Sequence, residues 1–462
     1  MGAVKPLVSG AQGDMVAAKI SCTTKGFAPM RSMSAATFAA LLLPTAAYAQ
    51  DAPQPERLKA DVEKLVSFGT RHTLSDPNSK TRGIGAARRW FAEELTRIGA
   101  KCGRCIQAST VERVFTGQRA PNGVNIVDVL GVQQGSDPKR VVIVMGHIDS
   151  RVTDVMDATS DAPGANDDGS GTALVLEAAR ILSKEKFAAT IVYAALSGEE
   201  QGLFGGKLLA ETAKERGWTV TAVLNNDIVG NTVGTDGTRV ADRVRVFSEG
   251  IATAEPLPLQ MARRNDGGED DGLSRTLAKT VREVAKTVPN GLDVLVVRRP
   301  DRFGRGGDHS PFLDLGFTAV RFSVGVENYD AQHQTLRPGK GDTVDKMDFP
   351  YLAKVTAINV ATIRRLAAAP AAPDKVTLSG ALSRDTTVKW VPVPGATGYR
   401  IHSRRTDTDR WTDHVDVAGE ATAETVLKGV VVDDNFVGVS ALGANGAESL
   451  VTFGGRGAGR GS

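Results

Sequence analysis

The chain has 462 residues, too many for one ordinary domain, and carries 56 Lys and Arg against 53 Asp and Glu. That near-neutral balance, with no dense basic run, excludes a nucleic-acid partner, and 41% hydrophobic residues with 50 Gly describe a loop-rich globular protein, not a disordered one.

Arg31 precedes a small, apolar run, Met33 to Ala47, closing in Ala47-Tyr48-Ala49. This is a signal-peptide layout, too short for a permanent membrane anchor, and it places the protein in the periplasm or outside the cell. About thirty residues precede the run, so Met30 or Met33 is a candidate start. Residues 1–49 are read as leader and 50–368 as the main domain. Cys22 falls in the leader, which leaves Cys102 and Cys105. An exported pair at this spacing reads as a local disulfide; a redox-active C-x-x-C is the rival, and no second C-x-x-C completes a zinc knuckle.

Helices are expected over Glu56–Phe68 and Thr81–Ile98. Strands are expected over Asn125–Val132, Val141–Met145, Thr190–Leu196, Val220–Leu224, Arg243–Phe247, Asp293–Val297 and Ala319–Ser323. Further helices fall between and after them, over Ser170–Lys184, Leu203–Arg216, Gly272–Lys286 and Phe349–Ala367. "VVIVM" and "TIVYAAL" are almost wholly apolar, as strands covered on both faces are. The alternation predicts a three-layer α/β/α domain with a mixed, mostly parallel sheet. Residues 369–375 read as a linker. Residues 376–458 then give short alternating runs with Trp390 and Tyr399 facing inward and an end at Asn445-Gly446, which predicts a small all-β sandwich. Its order of Trp, then P-x-x-G-x-x-x-Y, then V-x-A-x-x-x-x-G resembles a fibronectin type III module, either an inert stabiliser or a contact for a polymer or surface. His402 and His414 are expected to face solvent.

Five stretches lie past the C-terminal ends of expected strands, the edge where open α/β sheets place ligands. They carry His147 and Asp149 ("GHIDS"), Asp167 and Asp168 ("GANDDGSG"), Glu199 and Glu200 ("SGEEQG"), Asp227 ("NNDIVGN") and His333 ("DAQHQT"). Singly, each has a dull explanation, and either Asp167 or Asp168 could cap the following helix. Together, two His and several carboxylates form a mixed N/O donor set that suits zinc. Five donors with one bridging carboxylate serve two metals, about 3.5–4 Å apart in such sites.

These motifs, with "GGDHSPF" and the late "QHQT…DT", occur in the order seen in the co-catalytic zinc aminopeptidases. The resemblance covers roughly residues 56–367 of this chain, and the family also includes glutaminyl cyclases and some carboxypeptidases. It implies two zinc ions per chain: one held by His147 and Asp227, the other by Glu200 and His333, with Asp167 bridging. It also implies Glu199 as general base on a zinc-bound water, and Asp149 accepting a hydrogen bond from His147 to fix its tautomer. The activity so implied is an exported metallo-exopeptidase acting on peptides or small proteins, foremost an aminopeptidase. A one-zinc glutaminyl cyclase and a carboxypeptidase are the alternatives, and a non-catalytic binding protein is the remote one. Three features depart from the pattern or stay open. "HQTLRPGKGDT" inserts residues between His333 and Asp342. Asp308 and His309 stand either behind the metals or as caps of a local helix. Arg298, Arg299, Arg302 and Arg305 form either a solvated loop or a clamp for a substrate carboxylate.

Overall fold

The computed structural model describes residues 52–444 and 446–456. The leader reading and Asn445 lie outside the described residues. Two helices, α1 (Pro55–Val66) and α2 (Gly83–Lys101), lead into β1 (Ile106–Gly117), β2 (Ala120–Gln133) and β3 (Asp137–His147). Then follow α3 (Gly169–Leu182), β4 (Ala189–Leu196), α4 (Phe204–Glu215), β5 (Thr219–Asn226), β6 (Arg243–Phe247), α5 (Leu257–Asp266), α6 (Leu273–Ala285), β7 (Asp293–Val297), α7 (Ser310–Asp314), β8 (Ala319–Val324) and α8 (Phe349–Ala368).

One eight-stranded sheet runs in the order β1-β2-β4-β3-β5-β8-β6-β7. Its centre, β4-β3-β5-β8, is parallel; β1 and β2 are antiparallel additions on one side, and β6 runs antiparallel to β8 on the other. The central strands are buried on both faces because their side chains alternate between two cores. Val142, Val144, Ile191, Tyr193 and Ala195 pack with residues of α1, α2, α3 and α8. Val141, Ile143, Met145, Val192, Ala194 and Leu196 pack with α4 and with Phe312 and Leu313 of α7. That period of two inside an unbroken apolar run makes the three-layer α/β/α architecture.

Two elements escape the sequence pattern. β1 is an edge strand with only Ile106 buried, so it shows no strong apolar signal. α5 buries none of its residues, and Leu257, Leu259 and Met261 stand exposed on it.

The C-terminal part is all β: β9 (Asp374–Ser379), β10 (Thr386–Val391), β11 (Gly398–Arg405), β12 (Asp413–Ala418), β13 (Glu424–Leu427), β14 (Asn435–Leu442), β15 (Thr452–Phe453) and β16 (Gly455–Arg456). They form two four-stranded sheets, β13-β10-β9-β16 and β12-β11-β14-β15, enclosing Val388, Trp390, Tyr399, Ile401, Val437 and Val439. The Tyr399 hydroxyl accepts from Val393 N at 2.7 Å and donates to the Glu420 carbonyl at 2.8 Å, so a deeply buried phenol has both partners. His414 is exposed as expected, but His402 is not: its Nε2 lies 2.8 Å from Glu448 Oε1 and 3.0 Å from Ser440 Oγ. The pleat turns His402 outward from the sandwich core, and the returning strand covers it, which alternation alone does not reveal.

The described residues of both parts belong to one compact unit. Arg404 bonds Asp271 where both are almost fully buried, Arg282 reaches Asp409 at 3.0 Å, and Arg456 reaches Asp266 at 2.8 Å. Cys102 and Cys105 form a disulfide at the end of α2.

Candidate metal centre

The C-terminal edge of the parallel strands gathers the donors. β3 ends on His147, β4 ends three residues before Glu199, β5 ends one before Asp227, Asp167 precedes α3, and His333 lies in the loop after β8. Glycine lets these ends meet. A Cβ on Gly171 would stand 2.0 Å from the Asn226 carbonyl oxygen, and one on Gly146 would stand 2.7 Å from Gly171. Only bare backbone lets the start of α3 lie this close against β3 and β5.

Geometry separates the two neighbouring aspartates. Asp168 caps α3: its carboxylate accepts from Gly171 N at 2.9 Å, from His147 N at 3.0 Å and from Ile228 N at 3.3 Å, stapling three elements. Asp167, joined to it by a cis peptide, faces the centre instead. Its Oδ1 is 3.1 Å from His147 Nε2 and its Oδ2 is 2.9 Å from His333 Nε2.

The two glutamates are separated by Asp149. Gly198 turns the chain out of β4 at φ +77°, and the buried Asp149 carboxylate then takes Glu199 N at 3.3 Å, Glu200 N at 3.2 Å and the Thr73 hydroxyl at 2.9 Å. Asp149 also meets His147, through its backbone carbonyl. Nδ1 lies 3.1 Å from the Asp149 backbone carbonyl and 3.5 Å from its carboxylate, whose oxygens are engaged by the glutamate backbone. The carbonyl is an acceptor, so it takes the Nδ1 proton; burial would lower the ring's pKa, but Asp149 and Asp167 hold it well above the usual histidine value.

Two donor groups result: His147, Glu199 and Asp227, and Asp167, Glu200 and His333, the atoms of each lying within 4.8 Å of one another. All five expected ligands and Glu199 are thus brought together. The insertion after His333 forms a small hairpin closed between Arg337 and Lys340, and it returns Asp342 to accept from Asp167 N at 2.7 Å. Asp308 caps no helix of its own; it accepts from Gly206 N in the first turn of α4 at 3.0 Å. His309 bonds the Pro300 carbonyl at 2.8 Å. The arginine cluster is engaged locally: Arg298 on Asp270 and Asp409, Arg302 and Arg305 on Glu327, and Arg299 over the Phe303 ring.

Sequence reasoning missed two cations here. Arg321 Nη2 lies 2.9 Å from Asp227 Oδ1, and Arg151 Nε lies 2.7 Å from Glu200 Oε2. Arg321 had a signal, a lone charge in the apolar run "AVRFSV", which a buried strand tolerates only with a partner. Arg151, two residues after Asp149, had none.

The electrostatics call for positive charge. Burial, reinforced by Glu200, Asp227 and Asp308 against the opposing pull of His147, raises Glu199 well above the usual carboxylate range. Burial likewise pushes Asp308 up to about 7 and Asp342 to about 6. Burial would lower His333, but Glu200 and Asp167 bring it up to about 10. His147 Nε2 is buried 3.1 Å from Asp167 Oδ1, and Glu200 Oε1 is buried 3.0 Å from His333 Nε2. Two imidazole nitrogens converging with buried carboxylates fit a divalent cation, and mixed imidazole and carboxylate donors fit zinc. A cleft of about 560 Å³ lined by Arg140, Pro370 and Gly395 contains none of these residues.

A mixed sheet of this order carries on its edge a donor set that suits zinc. Residues 128–363 match the model of peptidase family M28, and the chain belongs to that family. It is 44% identical over 410 residues to a probable zinc metalloprotease of Leptosphaeria maculans, covering 86% of this chain and 93% of that relative. A probable zinc metalloprotease of Pyrenophora tritici-repentis is 40% identical over 87% of this chain and 85% of its own length. Among solved structures, LapB of Legionella pneumophila shares the fold, with a TM-score of 0.51 and 18% identity over 68% of this chain and 72% of that one.

Proposed function

We propose that the chain is a di-zinc aminopeptidase, in which His147 and Asp227 hold one ion, Glu200 and His333 the other, and Asp167 bridges them. The observation that carries this reading is Asp167, whose two oxygens face the two histidines of opposite groups at 3.1 and 2.9 Å. Zinc, when bound, acts as a Lewis acid on a substrate carbonyl and makes water a nucleophile at neutral pH.

The chain's own residues do the rest. Asp149 aims Glu199 and Glu200 in different directions through their backbone amides and orients His147 through its carbonyl. Glu199, raised in pKa, takes the proton of the attacking water and returns it to the leaving amine. A carboxylate with raised affinity for a proton serves both halves of that transfer near neutral pH.

A carboxypeptidase reading needs a guanidinium at the rim for the substrate carboxylate; Arg298, Arg302 and Arg305 are taken by Asp270, Asp409 and Glu327, and Arg299 lies over the Phe303 ring. A one-zinc glutaminyl cyclase draws on one specific observation, the position of Arg151 on Glu200 and His333. Zinc per chain, with release of free amino acid from Leu-initiated peptides against cyclisation of Gln-initiated ones, with and without chelator, decides between them. Cyclisation without any released amino acid refutes the peptidase.

The Cys102–Cys105 disulfide supports export to the periplasm or the medium, where peptides and small proteins are the substrates. Among the described residues no helix is long and apolar enough to cross a membrane. The C-terminal sandwich, in its fibronectin type III-like reading, is a candidate contact for a polymer or surface.

A further inference from the structure

At the end of β3 opposite His147, the main domain and the sandwich meet over the cleft of about 560 Å³. Asp137 and Arg140 of β3 and Ala188 before β4 line it from the main domain. Pro370 follows α8, and Val393 and Pro394 of the β10–β11 turn line it from the sandwich. The walls are mostly Ala, Pro and Val, with one charged pair among them. A cleft of this volume, apolar with few polar groups and set between two domains, has the character of a small-molecule site.

Arg140 is under-satisfied. It is 5% exposed, and its one ion pair among the described residues is with Asp137, whose Oδ2 lies 3.4 Å from Nε. The Asp137 side chain is itself 54% exposed, and its other oxygen accepts from the Arg140 backbone N at 3.3 Å. Nη1 is buried and makes no hydrogen bond. Burial lowers the pKa of this guanidinium, and Asp137 offsets only part of that. A guanidinium carries five donors in a planar fork whose natural complement is a carboxylate.

Arg71 shows how this fold satisfies a buried guanidinium when no ligand is involved. Its donors reach the carbonyls of Leu65, Ile148, Pro163 and Gly164 at 2.6 to 3.3 Å. Among the described residues Arg140 has no such set. A carboxylate supplies the acceptors that Arg140 lacks, and the Ala, Pro and Val walls suit a small apolar body attached to it.

We infer that the junction cleft is a ligand site separate from the metal centre, for a carboxylate carried on a small apolar body, with Arg140 as its anion partner. A free apolar amino acid and the C-terminus of a peptide both present that chemistry. The free amino acid adds an ammonium, for which Asp137 is an acceptor in the same cleft. A ligand held there touches the main domain through Arg140 and the sandwich through Val393 and Pro394, so it ties the two together. The zinc reading is not needed for this site.

The test is isothermal titration of the full chain with N-acetyl-leucine and N-acetyl-leucinamide, which differ only in the carboxylate, and with free leucine. N-acetyl-leucine should bind about 10- to 100-fold more tightly than the amide, the range for a hydrogen bond to a charged group. The melting temperature should rise with the acid and not with the amide. Arg140→Met removes a buried, poorly paired charge, so it should fold, and it should weaken N-acetyl-leucine by the same factor. Pro394→Trp, at an exposed position of the turn, keeps Arg140 but fills the cleft and should block binding. Counting only the binding lost in Arg140→Met, free leucine tighter than N-acetyl-leucine marks an amino-acid site that uses Asp137, and the reverse order marks a site for a peptide C-terminus. Acid and amide binding alike, or neither N-acetyl-leucine nor leucine binding, overturns the inference. So does N-acetyl-leucine binding to folded Arg140→Met or to Pro394→Trp as tightly as to wild type.

Discussion

Glu199→Gln changes one oxygen for an amide nitrogen in a side chain of nearly identical shape. Two consequences follow from its surroundings. The backbone N of residue 199 still reaches Asp149 Oδ1 at 3.3 Å, so the turn that aims Glu200 at the second group is kept. The carboxylate it removes is one that burial, Glu200, Asp227 and Asp308 all disfavour, so folding stability should not fall. What is lost is the proton acceptor. General acid–base catalysis contributes about 10²–10⁴-fold, or about 3–5 kcal/mol of barrier, and kcat on an aminoacyl fluorogenic substrate should drop by that amount. Zinc content, read on the same sample, should be unchanged. A drop of under about tenfold with both metals retained would remove Glu199 from the proton transfer. Loss of a zinc ion would make it a ligand, which its place beside His147 and Asp227 permits.

Three other perturbations test separate parts of the account. Asp167→Asn removes the charge shared by the two groups, and zinc per chain should fall from two to one or none at a free zinc level that saturates wild type; retention of both ions would refute the bridge. Arg404→Met removes a charged hydrogen bond to Asp271 and ring contacts to Trp411 and Phe436 at 5.1 and 4.6 Å, while Lys279 stays 2.9 Å from Asp271. Urea unfolding should report a loss of about 2–4 kcal/mol, and a change near zero would mean that this contact does not hold the sandwich in place. For Glu448, burial is outweighed by His402, Ser440 and Arg365, which hold the carboxyl at about 2 against an ordinary 4.5. A depressed carboxyl stabilises the fold fully above the ordinary value and loses that contribution as pH falls from 4.5 towards 2, on the order of 3 kcal/mol. Thermal melts of Glu448→Gln should show a flatter acid limb than wild type over that window; parallel curves would contradict the assignment.

What the sequence made legible follows from the physics of each part. β3 and β4 stand out because a strand covered on both faces must be apolar at every position, and the donors stand out because each comes directly after such a strand. The glycines around Asp167 could be read as a turn, but that Gly171 admits the Asn226 carbonyl is a fact of packing. The choice between Asp167 and Asp168 was open in the sequence, since either can cap α3; three amides converging on Asp168 close it. β1 and α5 were invisible because they bury too little to carry a periodic pattern. His402 was misplaced because outward from one sheet does not mean exposed when Glu448 lies over it. Arg151 was missed for a related reason: it meets His333 across 182 positions of chain.

The central claim is a pair of metals astride Asp167. Crystals of the full chain soaked in excess zinc, measured at the zinc absorption edge, test it most directly. The account predicts two anomalous peaks about 3.5–4 Å apart, one beside His147 and Asp227 and one beside Glu200 and His333, with Asp167 between them. A single peak at saturating zinc, or peaks that leave Asp167 unligated, would contradict it.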